Sequence, residues 1–116
     1  MNQSYGGALV DLMLSEAEAQ DARREAVSLR PLTLSERARL DLYLLAVGAM
    51  SPLDGFMGKA DYESVVRTMR LANGVLFPIP VTLPIGDDVQ IAIGDRVALR
   101  DANANLLAVL DVAEIY

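Results

Sequence analysis

The chain contains no histidine and no cysteine, and that limits its chemistry more than any residue it carries. Without imidazole it lacks the commonest general base near neutral pH. Without imidazole or thiolate it lacks the usual zinc ligands. A serine nucleophile would need a lysine nearby. The single lysine, Lys59, stands just before a polar stretch that reads as a helix start. No glycine-rich phosphate loop is present. Carboxylates remain, since one or two acids can hold Mg²⁺ beside a phosphate. The densest pair is Asp87-Asp88, and its place after Gly86 reads as a solvated turn. The loop Ser51-Pro52-Leu53-Asp54-Gly55-Phe56-Met57-Gly58 could touch a partner or a nucleotide, but it reads as a tight turn whose Phe56 and Met57 plug the core. Lys59 reads as a solvated cation. Arg96 and Arg100 read as surface partners for aspartates across a hairpin. No catalytic, cofactor-binding or metal-binding residue is therefore assigned, and the chain alone is expected to be inactive.

Composition narrows the partners. The formal net charge is −6, which argues against a broad nucleic-acid surface, because such surfaces neutralise phosphates with Lys and Arg. The adjacent Arg23 and Arg24 are flanked by Asp21 and Glu25. The hydrophobic fraction of 53% argues against disorder. With 116 residues, one domain with a modest core is expected. No apolar run approaches the ~20 residues of a membrane span. Met1-Asn2-Gln3-Ser4 lacks the basic-then-apolar order of a secretory signal. A soluble, cytoplasmic domain with neither membrane nor nucleic-acid partners is the expectation.

Several elements must position these residues. Leu9 to Met13 reads as a short strand. Ser15 and Glu18 form a capping box, followed by a helix from about Glu16 to Val27 with Ala19, Ala22 and Ala26 as its buried stripe. Pro31 breaks the pattern. Thr33 and Glu36 read as a second capping box. Leu34, Ala38, Leu42 and Leu45 then repeat at helical spacing, and Leu40, Leu44 and Val47 add a second face that reads as buried. Arg37 and Asp41 can pair along that helix, and Gly48 is a plausible stop. A third helix is predicted from about Ala60 to Met69, with Tyr62, Val65, Val66 and Met69 facing the core.

Beyond Asn73-Gly74 the period changes. Val75-Leu76-Phe77 and Val81-Thr82-Leu83 read as edge-like or bulged strands, punctuated by Pro78, Pro80 and Pro84. Gly94-Asp95 is a turn. Arg96 to Arg100 and Leu106 to Val112 read as a hairpin around a five-residue loop. Helices first and strands afterwards make an α+β domain with a small mixed or barrel-like sheet.

Several segments in order and spacing resemble a known family. They run from Leu32-Thr33-Leu34-Ser35-Glu36-Arg37 and Asp41 to Gly48, through Ser51 to Met57 and Asp61 to Val66. They continue with Met69-Arg70-Leu71-Ala72-Asn73-Gly74 and Pro78 to Leu83, and end on Gly94 to Asp101. Together they resemble the amino-terminal domain of sulfate adenylyltransferase (ATP sulfurylase), over nearly the whole chain. The resemblance implies a PUA-like fold, a small β pseudo-barrel with about three helices in the N-terminal half, as one domain over 1–116. It implies a parent enzyme that makes adenosine 5′-phosphosulfate and pyrophosphate from ATP and sulfate with Mg²⁺. That family's Gln-x-Arg-Asn-Pro-x-His and His-x-x-His segments lie in a following catalytic domain and map onto no position here. No cofactor is therefore expected in this chain. Many relatives open with Pro-His-Gly-Gly where this chain has Ser4-Tyr5-Gly6-Gly7.

The function this implies is a non-catalytic domain that braces the parent's catalytic domain, with a homo-oligomer left open. The alternatives are a freestanding PUA-type interaction or RNA-binding module, and an enzyme using carboxylates and Mg²⁺. The end at Glu114-Ile115-Tyr116, directly after a strand, reads as a domain boundary. A domain cut there would expose an apolar patch where its partner sits.

Overall fold

Residues 10–116 are described by a computed structural model. Six elements follow one another: α1 (Glu16–Ala26), β1 (Arg30–Thr33), α2 (Glu36–Ala46), α3 (Lys59–Thr68), β2 (Arg96–Arg100) and β3 (Leu106–Asp111). The Ser4–Gly7 segment and Leu9 lie outside the described residues. From Val10 to Leu14 the chain forms no strand, contrary to expectation. Leu12 instead donates its N–H to Ala46 O at the end of α2, at 3.0 Å.

The helix starts are set by local hydrogen bonds. Ser15 Oγ accepts from Glu18 N, and Glu18 Oε1 accepts from Ser15 N, each at 3.2 Å, which completes the reciprocal box before α1. α2 starts differently from the sequence reading. Thr33 is committed to β1, so Ser35 caps the helix and its Oγ accepts from Ala38 N at 3.1 Å. Glu36, freed from a capping role, pairs with Arg39 at 2.6 Å, in place of the expected Arg37–Asp41 pair. Gly48 follows the C-cap with φ +83, a left-handed turn that a β-carbon disfavours.

The three strands form one mixed sheet in the order β1-β2-β3. β2 and β3 make the expected antiparallel hairpin, with an irregularity between Leu99 and Arg100. Asp101 organises the loop by accepting from the N–H groups of Asn103 and Asn105, both at 2.9 Å. β1 was not expected. It runs parallel to β2, pairing Arg30 with Val97 and Thr33 with Arg100.

The expected strands at 75–77 and 81–83 do not form. Pro78, Pro80 and Pro84 remove ladder donors, and only an isolated bridge between Arg70 and Leu76 remains. Met57 substitutes for a strand neighbour. Its N–H donates to Val81 O at 2.8 Å, and its Sδ accepts from Val81 N at 3.5 Å.

The core has two parts. One centres on the sheet, with Leu32, Leu34, Val97, Leu99 and Val112. The other gathers Leu45, Met57, Val65, Phe77 and Val81 from helices and loops. Phe56 packs against both. Each large side chain fully buried there contributes about 1.5–3 kcal/mol. The observed architecture is thus the expected small α+β domain with three helices.

Candidate interaction surface

Among the described residues, a groove of about 510 Å³ lies between β1 and the segment 83–89. Arg30, Pro31, Thr33, Pro84 and Asp88 are among its walls. Its one carboxylate folds back, since Asp88 Oδ1 lies against Gly86 where a β-carbon would sit. Its one hydroxyl, on Thr33, has no imidazole or lysine among those walls to activate it. Among the described residues, no group of three acids is placed to hold a metal ion. No helix among them is long and apolar enough to cross a membrane.

The residues singled out from sequence fall at separate places. Asp87 and Asp88 occupy an exposed turn, closed by Val89 N donating to Gly86 O at 3.1 Å. Lys59 opens α3 and lies 4.0 Å from Glu63. Arg96 binds Asp111 across the hairpin at 2.8 Å and also reaches Glu25 on α1. Asp111 raises the Arg96 pKa most, with Glu25 adding to it. Arg100 donates instead to Ala104 O in the hairpin loop at 3.0 Å.

The Ser51–Gly58 loop is a packing device. Ser51 is buried, and its Oγ accepts from Val10 N at 3.0 Å while donating to Gly48 O at 2.7 Å. Leu53 and Met57 are buried in the loop-side core. Phe56 and Met57 act as the plugs expected of them.

Leu34, Ala38, Leu45 and Val65 are buried as the sequence predicts, but part of what the spacing placed inside lies in water. On α2, Leu40 and Val47 are exposed, and Tyr43 between them is 62% exposed. Positions i, i+3 and i+7 share one helix face, so these three form an apolar stripe opposite the buried Ala38 and Leu45. On α3, Val65 is buried but Val66 and Met69 are 64% and 56% exposed. Apolar periodicity reports that a face meets something apolar, not whether that partner belongs to the same fold. Two helices with bare apolar stripes suit a domain that packs against another body. Leu12, Met13 and Leu14 add exposed apolar surface near the end of α2.

The last residues run as a strap over the start of α3. Gly58 is the N-cap and offers no side chain to the helix. Glu114 takes over that role, its Oε2 accepting from Lys59 N at 3.2 Å. A carboxylate there also meets the positive end of the helix dipole. A β-carbon on Gly58 would collide with Glu114 Oε1. Tyr116 donates its hydroxyl to Met57 O. Its ring lies 5.6 Å from that of Tyr62, tilted by 41°. Burial first, then the nearby Glu114 and Tyr62, push the Tyr116 hydroxyl above its ordinary pKa.

Comparison with known proteins places this geometry. A sulfate adenylyltransferase of Synechococcus sp. (strain JA-3-3Ab) is 43% identical over 114 residues, which is 97% of this chain and 29% of the relative. The sulfate adenylyltransferase of Persephonella marina is 41% identical over 118 residues, covering 100% of this chain and 31% of its own length. The matched portion is the N-terminal part of these enzymes. The chain therefore spans less than a third of the curated relatives it matches. Among solved structures, the hexameric APS kinase from Thiobacillus denitrificans superposes with a TM-score of 0.83 at 36% identity, over 95% of this chain and 22% of that one. A family model described as "PUA-like domain" matches residues 2–116. With the mixed sheet, the three helices and that match in agreement, the chain belongs to the PUA-like domain family.

Proposed function

We propose that this chain is the non-catalytic N-terminal domain of a sulfate adenylyltransferase and braces that enzyme's catalytic domain. The observation that carries this reading is the alignment itself. Sulfate adenylyltransferases match essentially the whole chain at 40–44% identity, yet the chain spans only 21–31% of them. The chemistry of the chain supports the same reading. It has no histidine for acid–base work, and among the described residues α2 and α3 carry exposed apolar stripes. On this reading ATP and Mg²⁺ are held elsewhere in the parent enzyme, in the cytoplasm. The hexameric state named for the structural neighbour makes contact between subunits a second use for such stripes.

The test is the reading frame beyond Tyr116, followed by assay. A continuing frame should supply the histidine-bearing catalytic segments, and the longer product should release pyrophosphate from ATP and sulfate. Residues 1–116 alone should release none above background. Clear turnover by 1–116 alone would overturn the reading.

A further inference from the structure

Resting on that reading, we propose that the apolar stripe of half-buried Tyr62, exposed Val66 and exposed Met69, along α3 and its C-cap, seats the segment that directly follows Tyr116 in the longer chain. Three observations converge on it. First, Glu114 and Tyr116 fasten the end of the described chain to the head of α3, through Lys59 N, Met57 O and the Tyr62 ring. Whatever comes next starts beside Tyr62.

Second, Tyr62, Val66 and Met69 are spaced i, i+4 and i+7, so one apolar stripe leads away from that starting point. Val66 and Met69 are among the most exposed large apolar residues of the described chain, at 64% and 56%. Third, the lengths agree. Seven helical residues span about 10 Å, which three or four extended residues cover. A short apolar run just after Tyr116 is long enough to close the stripe. The relatives, more than three times as long, have chain to supply it.

The charged neighbours fit this geometry. Val65 faces the core on one side of the stripe, and Lys59, Glu63 and Arg67 border it on the other. The seat is thus a narrow apolar strip with a charged rim, suited to a strand-like segment with apolar side chains on one side. The groove beside β1 fits this occupant less well. It opens along a strand carrying Pro31, which has no N–H to offer an added strand.

The experiment places a photo-crosslinking residue in the longer chain, as Val66→p-benzoylphenylalanine, and identifies the captured peptide by mass spectrometry. The expected product joins position 66 to a peptide within about ten residues of Tyr116. Capture of a distant peptide, capture of a second subunit, or no capture overturns the proposal. Peroxide oxidation of Met69 gives a second readout that needs no substitution. Met69 should oxidise at least fivefold more slowly in the longer chain than in residues 1–116, and a smaller ratio counts against the proposal. Failure of the functional reading shows separately, as a longer product that makes no pyrophosphate while the cross-link stands. A frame ending at Tyr116 would overturn both.

Discussion

Leu99 and Met57 are buried to similar depth, at 1% and 4% exposure, but their surroundings differ. Leu99 sits on the central strand, with β1 on one side and β3 on the other. Met57 lies in a loop and meets Val81 through two hydrogen bonds of its own, with no regular strand beside it. The sheet half satisfies its backbone by repetition. The loop half does so contact by contact, through Ser51, Met57, Glu114 and Tyr116. A region built from single contacts is the one that a neighbouring body can complete, and the bare stripe of α3 lies there.

The largest effect expected is in the sheet half. Leu99→Ala should cost about 2–5 kcal/mol in urea unfolding and speed amide exchange throughout the domain. Exchange speeded only around 96–111 would break the comparison, because the two halves would then be separate units.

Gly58→Ala is next. The new methyl expels Glu114, and α3 loses its borrowed cap, a loss of about 0.5–2 kcal/mol. Exchange should quicken at Lys59–Tyr62 and leave β2–β3 unchanged. In a double-mutant cycle with Glu114→Ala, the two losses should fail to add. Additive losses would mean that the cap and the collision are unrelated.

Tyr116→Phe removes one hydrogen bond and keeps the ring, so about 0.5–1.5 kcal/mol or less is expected. The raised hydroxyl also gives the strap a pH dependence. The folded chain holds that proton more tightly than the unfolded one, so the contribution is complete below an unfolded value of about 10 and drains as pH rises through the folded value. The Phe variant should lose this alkaline component in thermal melts at graded pH.

The smallest effect is acidic and belongs to the exposed carboxylates. Glu18 is held low chiefly by the Ser15 side chain, Glu36 by Arg39 and Asp101 by the Asn105 side chain. Each binds its proton more weakly folded than unfolded. Their help is therefore full above about pH 4 and fades as pH falls through the folded values. Ser15→Ala should flatten the Glu18 share of that acid limb, and an unchanged limb would remove Glu18 from it.

The parts legible in sequence were those set by near neighbours. Ser15 with Glu18 fixed the start of α1, Gly48 ended α2, and the alternation from Arg96 to Arg100 with the turn-rich Asp101–Asn105 gave the hairpin and its five-residue loop. β1 was illegible because four residues containing Pro31 show no period, and their partner strand is remote. Leu40, Val47, Val66 and Met69 were read as core because helical spacing does not say what a stripe meets. Those four residues mark the bare apolar stripes of α2 and α3. Glu114 gave no signal at all, since a cap borrowed from 55 positions away obeys no local pattern.

The parallel pairing of β1 with β2 also fixes an order in time. Val97 lies 67 positions after its partner Arg30. At about 5–20 residues per second of synthesis, β1 waits several seconds for its neighbour. During that interval α1 and α2 can coil under their own serine caps, but the sheet that covers Leu34 and Ala38 does not yet exist. Closing so long a loop makes the β1–β2 contact a late event. In pulse-labelled refolding, the amides of Leu32 and Thr33 should gain protection together with the hairpin and after α1, so the first strand made is placed only when its last-made neighbours are.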